Sequence, residues 1–153
     1  MRKISVLLAT LGLVIAGTLF PVASAQASAA CDTAWHNAIP GAFYAYDSAN
    51  CANRLGSDSG ADANWGDSAG SFRGSDTNKA NSILHKGTSG LAVRVSNGAS
   101  YTGNYGCIKK SEFYVSQLYG DYLTGGTGSH PAWNSISSHK WVRESACGTS
   151  FLH

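Results

Sequence analysis

Beyond residue 20 the apolar residues of this chain come in short clusters separated by small and polar residues, and the clusters follow an order that occurs twice. Residues 43–46, Phe-Tyr-Ala-Tyr, form an aromatic run closed by Asp47-Ser48-Ala49-Asn50, which is turn chemistry after a strand. Residues 91–95, Leu-Ala-Val-Arg-Val, end in apolar/polar alternation, and Ser96-Asn97-Gly98 supplies a turn signal. Each predicted strand opens a unit. An aromatic or small-residue stretch with glycine follows it, then a leucine, then a serine-containing phrase before a last apolar strand. The closing phrase is clearest as Ile136-Ser137-Ser138-His139-Lys140-Trp141-Val142, with a weaker echo at Asn81-Ser82-Ile83. Two repeats result, about 42–86 and 91–143, joined near Gly87-Thr88-Ser89-Gly90.

The interval from Val95 to Ser138 is longer than that from Tyr46 to Ser82, so the second unit carries an insertion. Its expected site is 123–131, where Thr-Gly-Gly-Thr-Gly-Ser-His-Pro resists regular structure and reads as a surface loop. The counterpart in the first unit, 56–74, is rich in Ser, Asp and Gly but contains Trp65 and Phe72, which read as core anchors.

Met1-Arg2-Lys3, the apolar run 4–20 and the small residues ending in Ala23-Ser24-Ala25 fit a secretory signal cleaved before Gln26, leaving one domain, 26–153, outside the cell. A second Ala-x-Ala at Ala27-Ser28-Ala29 leaves the cut open. The chain has eleven basic and nine acidic residues, and the leader holds two of the basic ones and no acid, so the remainder is balanced. Balanced charge with no basic run beyond Lys109-Lys110 argues against a nucleic acid or an anionic membrane as partner. Cys31, Cys51, Cys107 and Cys147 all lie in the exported part, and an even number there favours two disulfides. Three pairings are possible. Cys31–Cys51 with Cys107–Cys147 is favoured because each closes a loop inside one unit, worth about 3–4 kcal/mol apiece on the chain-entropy model.

Two tandem units, each opening on an aromatic or β-branched strand and closing on a Ser-containing phrase, resemble the βγ-crystallin double Greek key. More narrowly, the signal, the four cysteines and the terminal Ile-Ser-Ser-His-Lys-Trp resemble small secreted actinobacterial proteins of a peptidase-inhibitor family whose prototype inhibits metalloproteinases. The resemblance spans about residues 31–147. It implies an all-β, βγ-crystallin-like double Greek-key sandwich, disulfide-stabilised. The family's opening signature, an aromatic followed about four residues later by aromatic-x-Gly, is half matched by Tyr101-Thr102-Gly103. In the first unit Tyr46 fills the first place, while Cys51 and Asn53 replace the aromatic and the glycine. Asn is the next residue after Gly to accept the positive φ of that position.

In the βγ-crystallin superfamily the closing phrase can also ligate calcium. Here the copies read Thr77-Asn78-Lys79-Ala80-Asn81-Ser82 and Trp133-Asn134-Ser135-Ile136-Ser137-Ser138, without an acid in the first two places. Asp76, Asn78, Ser82, Asn134 and Ser138 are the candidate ligands. Calcium prefers carboxylate-rich cages, so weak or absent binding and no cofactor are expected, with the serines pinning turns instead.

Ser137, Ser138, His139 and Lys140 suggest nucleophilic catalysis, but on a strand neighbouring side chains face opposite ways, so Ser138 and His139 diverge. A non-enzymatic protein is expected. The family resemblance implies an inhibitor of an extracellular protease; a monomer acting by a rigid exposed loop is expected, and the loops near a cysteine make Tyr105, Gly106, Cys107 and Ile108 the candidate reactive segment. The alternative is a killer-toxin-like antimicrobial or cell-wall-binding module without inhibitory activity, in which Trp35, Trp133 and Tyr119 stack on sugar rings.

Overall fold

A computed structural model describes residues 28–153. The signal segment and its first cleavage site lie outside the described residues. The order of elements is α1 (Ala29–Asn37), β1 (Phe43–Ser48), β2 (Ala52–Asp58), β3 (Ser82–His85), β4 (Ala92–Ser96), β5 (Tyr105–Ile108), β6 (Tyr114–Val115), β7 (Tyr122–Leu123), β8 (His130–Pro131) and β9 (Ser138–Val142). One sheet has the order β2-β1-β3-β6, a second β5-β4-β9, and β7-β8 form a small hairpin.

The sheets exchange material. β6, from the second repeat, pairs antiparallel with β3 of the first, setting Ile83 opposite Val115. In return Asp62 of the first repeat forms a bridge with His139 on β9, closed by Asp62 N–H to His139 O at 3.0 Å and His139 N–H to Asp62 O at 2.9 Å. Each repeat therefore completes its sheet with backbone from the other. Between the sheets lies one core in which Phe43, Ala45 and Ile83 meet Val93, Val95 and Ile108. Trp65 and Phe72 are both fully buried and stack at 4.1 Å with an interplanar angle of 11°, so the polar segment between β2 and β3 is anchored by these rings. Gly56 makes room for them, since a Cβ there would lie 2.8 Å from the Phe72 ring.

The β1–β2 and β4–β5 connections fold over in the same way. Asn50, Cys51 and Asn53 have φ of 59°, 56° and 55°, and Ser100, Tyr101 and Gly103 have 54°, 62° and 74°. Left-handed backbone at non-glycine residues is uncommon and costs energy, so something must hold it. A buried serine does so in each unit. The Ser82 hydroxyl donates to Ser48 O at 2.7 Å and accepts from Cys51 N–H at 3.0 Å. The Ser138 hydroxyl donates to Gly98 O at 2.7 Å and accepts from Tyr101 N–H at 3.2 Å. The closing phrases are also tied to each other, Asn78 N–H to Ile136 O at 2.8 Å and Asn134 N–H to Ala80 O at 3.0 Å.

The disulfides are Cys31–Cys51 and Cys107–Cys147. The first fastens a helix that the sequence reading left out. Ser28 caps α1 by accepting from Cys31 N–H at 3.3 Å, and Asp32 in the first turn complements the helix dipole. Cys31 is the buried residue of this helix, so it shows little apolar periodicity. Its hold on the sheet comes from the disulfide, from Ala34 and Trp35 packed against the cluster of Tyr44, Tyr46 and Leu84, from Trp35 Nε1–H donating to His85 O at 3.2 Å, and from Tyr114 Oη–H donating to Asp32 Oδ1 at 2.7 Å. Burial and then the Asp32 carboxylate push the Tyr114 phenol up to about 12. A second departure is in 123–131, expected as loop alone: it contributes β8, and Leu123 on β7 is buried.

Ser138→Ala removes a buried acceptor and donor from beneath a surface hairpin and leaves Tyr101 N–H without its partner. A loss of about 1–3 kcal/mol is expected, measured as a lower urea midpoint with unchanged slope, and Ser82→Ala acts alike. Alanine variants within error of the parent would show that the hairpins hold themselves.

Candidate functional site

Residues 118–134 run over the surface in a path fixed by alternating buried anchors. Leu118, Leu123 and Ala132 point into the core. Backbone bonds from Leu118 N–H to Asn81 O at 2.8 Å and from Ala132 N–H to Asp121 O at 2.9 Å hold the track in place. The residues between the anchors face solvent: Tyr119 is 69%, Tyr122 52% and Trp133 44% exposed. Tyr119 and Trp133 meet edge to face, with ring centroids 5.8 Å apart and an interplanar angle of 82°. Tyr122 lies opposite Pro131 across the β7–β8 hairpin.

The tip of that hairpin, 124–129, is braced from outside. Asn104 Nδ2 lies 3.3 Å from Gly125 O, 3.2 Å from Thr127 O and 3.1 Å from Gly128 O. Gly126, at φ 98°, lets the tip approach the β4–β5 connection, because a Cβ there would sit 2.9 Å from Gly103 O. The segment therefore presents an exposed Tyr119–Trp133 pair, a third exposed ring at Tyr122, and a hairpin tip held by the Asn104 carboxamide and by the backbone bridge between Tyr105 and Gly125. It can stack on and hydrogen-bond a partner with little ordering cost.

The candidate reactive segment Tyr105, Gly106, Cys107 and Ile108 is not an exposed loop. These residues form β5, and Gly106, Cys107 and Ile108 are buried. On one side β5 pairs with β4. On the other, Tyr105 bridges Gly125 and Cys107 bridges Phe151, so the C-terminal tail covers the strand's outer edge. Cys107 is bonded to Cys147, and Leu152 packs 3.0 Å from where a Gly106 Cβ would be. The physical reason is pairing: the glycines around β5 serve close packing and turns, not an open loop.

Each calcium candidate already has a protein partner. Asp76 Oδ2 accepts from Arg73 N–H at 2.8 Å, Asn78 Oδ1 from Ser137 Oγ–H at 3.0 Å, and Asn134 Oδ1 from Asn81 Nδ2–H at 3.2 Å. Ser82 and Ser138 are the hairpin clamps. Among the described residues no group of three or more His, Cys, Asp or Glu is placed to hold a metal ion. Trp35, grouped with Trp133 and Tyr119 in the sequence, lies elsewhere, edge to face with Phe113 at 4.9 Å. Tyr122 and Asn104 were missed, although an aromatic at the edge of a glycine-rich insertion was a signal for the former.

His139 is fully buried among Phe43, Trp65 and Phe72. Its Nδ1 accepts from Trp65 Nε1–H at 3.1 Å, which places the ring proton on Nε2, 4.0 Å from Asp58 Oδ2. Ser138 next to it spends its hydroxyl on the hairpin, so the Ser-His pair has no shared chemistry. Burial pushes the His139 imidazole down to about 4, against the smaller opposing pull of Asp58 and Asp62. Burial also lowers His85, whose Nε2 is 2.8 Å from Leu91 O.

No protein-family model matches the sequence, and neither does any curated protein. Among solved structures the chain is similar to one described as "Evolution of the eye lens beta-gamma-crystallin domain fold", with a TM-score of 0.52 and 13% sequence identity over 70% of this chain and 90% of that one. The fold is that of a βγ-crystallin domain. At 13% identity the likeness establishes the fold alone. The exchanged strands and the twin folded hairpins are thus the βγ-crystallin architecture, while 119–133 and the rings it carries are read from this chain's own residues.

Acid should unfold this domain through its buried histidines. A His139 held near 4 when folded and about 6.5 when unfolded lets the unfolded chain bind more protons between those values. Stability is full above pH 6.5 and falls by about 3 kcal/mol as pH drops to 4. Thermal melting across that range should show the decline in the parent and a flatter profile in His139→Gln, whereas an unchanged slope would relieve His139 of the role. Calcium at millimolar concentration should leave the melting temperature where a chelator leaves it, because a ligand bound to the folded state alone must raise it.

Proposed function

We propose that this protein is a secreted, non-enzymatic binding module that acts outside the cell through the aromatic surface of residues 119–133. The observation that carries this reading is the exposed Tyr119–Trp133 pair, preset edge to face on a track anchored by Leu118 and Ala132. Large exposed aromatics on a rigid scaffold are costly for solubility and effective for recognition. Flat rings with hydroxyl and indole donors suit the faces and edges of sugar rings, so the partner is an insoluble cell-wall glycan. The two disulfides fit an oxidising compartment, and no described helix is long and apolar enough to cross a membrane.

A second reading, inhibition of an extracellular metalloproteinase, is favoured by the Asn104 brace. A loop whose Gly125, Thr127 and Gly128 carbonyls share the two N–H groups of one carboxamide is ordered before it meets a protease, as inhibition by a rigid loop requires. On that reading the reactive segment is 124–129.

Co-sedimentation with insoluble peptidoglycan separates the two readings. The parent should pellet with the glycan, and Tyr119→Ala with Trp133→Ala should raise the apparent dissociation constant about tenfold, as expected for the loss of stacking worth about 1.4 kcal/mol. A parent that stays in the supernatant yet inhibits a thermolysin-like protease, with inhibition lost in Asn104→Ala, would replace the glycan reading with the inhibitor.

A further inference from the structure

A second site lies away from the aromatic surface and shares no residue with it. α1 stands outside the two Greek keys, and where it meets the segment after β3 it leaves a cleft of about 190 Å³ lined by Trp35, Pro40, His85, Lys86, Lys110 and Phe113, among others. We propose that this cleft binds a carboxylate carried on a flat apolar ring.

The walls are built through one residue's backbone. His85 O accepts from Trp35 Nε1–H at 3.2 Å, and His85 N–H donates to Phe113 O at 2.7 Å, so both aromatic walls hang on the two main-chain groups of the last residue of β3. The His85 ring is itself pinned, accepting from Gly87 N–H at 3.1 Å and lying 2.8 Å from Leu91 O. Phe113 holds φ 61° and ψ −51°, a conformation that costs energy in a bulky residue, yet the residue remains 48% exposed. Core packing does not repay that strain at an exposed ring, and strain of this kind concentrates at ligand sites.

Charge selects the ligand. Lys86 Nζ rests 3.1 Å from the centre of the Trp35 ring, and Lys110 stands on another segment of the lining. Glu144 is the acid whose field reaches the neighbouring His85. Two cationic side chains in the lining, one of which also acts on His85, disfavour a cation and favour a carboxylate over a neutral group on the same ring. Drug-sized ligands fill roughly 300 Å³ or more, so the cleft suits a single ring with its acid group. Such a group comes either from a free aryl acid or from the C-terminal Phe of a peptide.

The two sources are separated by amide NMR titration of the secreted chain with 3-phenylpropionate and with N-acetyl-Gly-Phe, each against its neutral amide. Saturable shifts at the Trp35 indole N–H and at the Lys86 and Phe113 amides are expected from at least one acid, with a dissociation constant of about 1 mM or below. The acid that binds identifies the source. The neutral amides should bind about tenfold more weakly. Lys86→Gln with Lys110→Gln should erase that difference while leaving the melting temperature unchanged, and Trp35→Leu should weaken acid and amide together. Absence of saturable shifts at these residues with both acids, or equal affinity for acid and amide in the parent, would overturn the proposal.

Discussion

Each of two serine hydroxyls holds a hairpin in a shape its backbone would not keep alone, and the rest of the molecule is arranged around those two points. Ser82 sits at the start of β3 and Ser138 at the start of β9, so each clamp fastens the closing strand of a repeat to the fold-over of its opening strands. The left-handed residues Asn50, Cys51, Ser100 and Tyr101 become tolerable because their amides and neighbouring carbonyls are satisfied inside the protein. With the hairpins folded over, Phe43, Val93 and Val95 face a shared interior.

The exchange of strands makes that interior indivisible. β6 completes the first sheet from the second repeat and Asp62 adds to the second from the first, so cooperativity follows from topology as well as from burial. Functional consequences follow from rigidity. An insertion placed between β6 and β9 starts and ends on fixed backbone, and its exposed rings inherit fixed positions. The same rigidity holds β3, whose last residue anchors the walls of the α1 cleft. Both surfaces lie on segments that the clamps and disulfides immobilise, which lowers the entropy a partner must overcome on binding.

The repeat, the core anchors and the serine phrases were legible in the sequence because they are written in local chemistry: turn residues after Tyr46, alternation before Ser96, and bulky rings isolated in a polar stretch. Asn53 at positive φ followed instead from the βγ-crystallin resemblance, in which it stands where the signature has glycine. What escaped was decided by partners distant in the chain. β5 reads as an open, glycine-flanked segment until Gly125 and Phe151 close its edge. α1 lacks a clear apolar stripe because it packs through only Ala34 and Trp35, and a disulfide and two side-chain hydrogen bonds supply the rest of its hold. Tyr119 and Trp133 were recognisable as exposed aromatics, but their contact depends on the return path of the insertion, and the separation of Trp35 from them depends on where α1 docks.

Hydrogen exchange at the Cys51 and Tyr101 amides, in calcium-free buffer, tests the clamp account most directly. Both amides sit in surface hairpins yet donate to buried serine hydroxyls, so they should exchange as slowly as the amides of β1 and β4, with or without added calcium. Exchange at the rate of an open loop in calcium-free buffer, slowing only when calcium is added, would contradict it and return the closing phrases to ion binding.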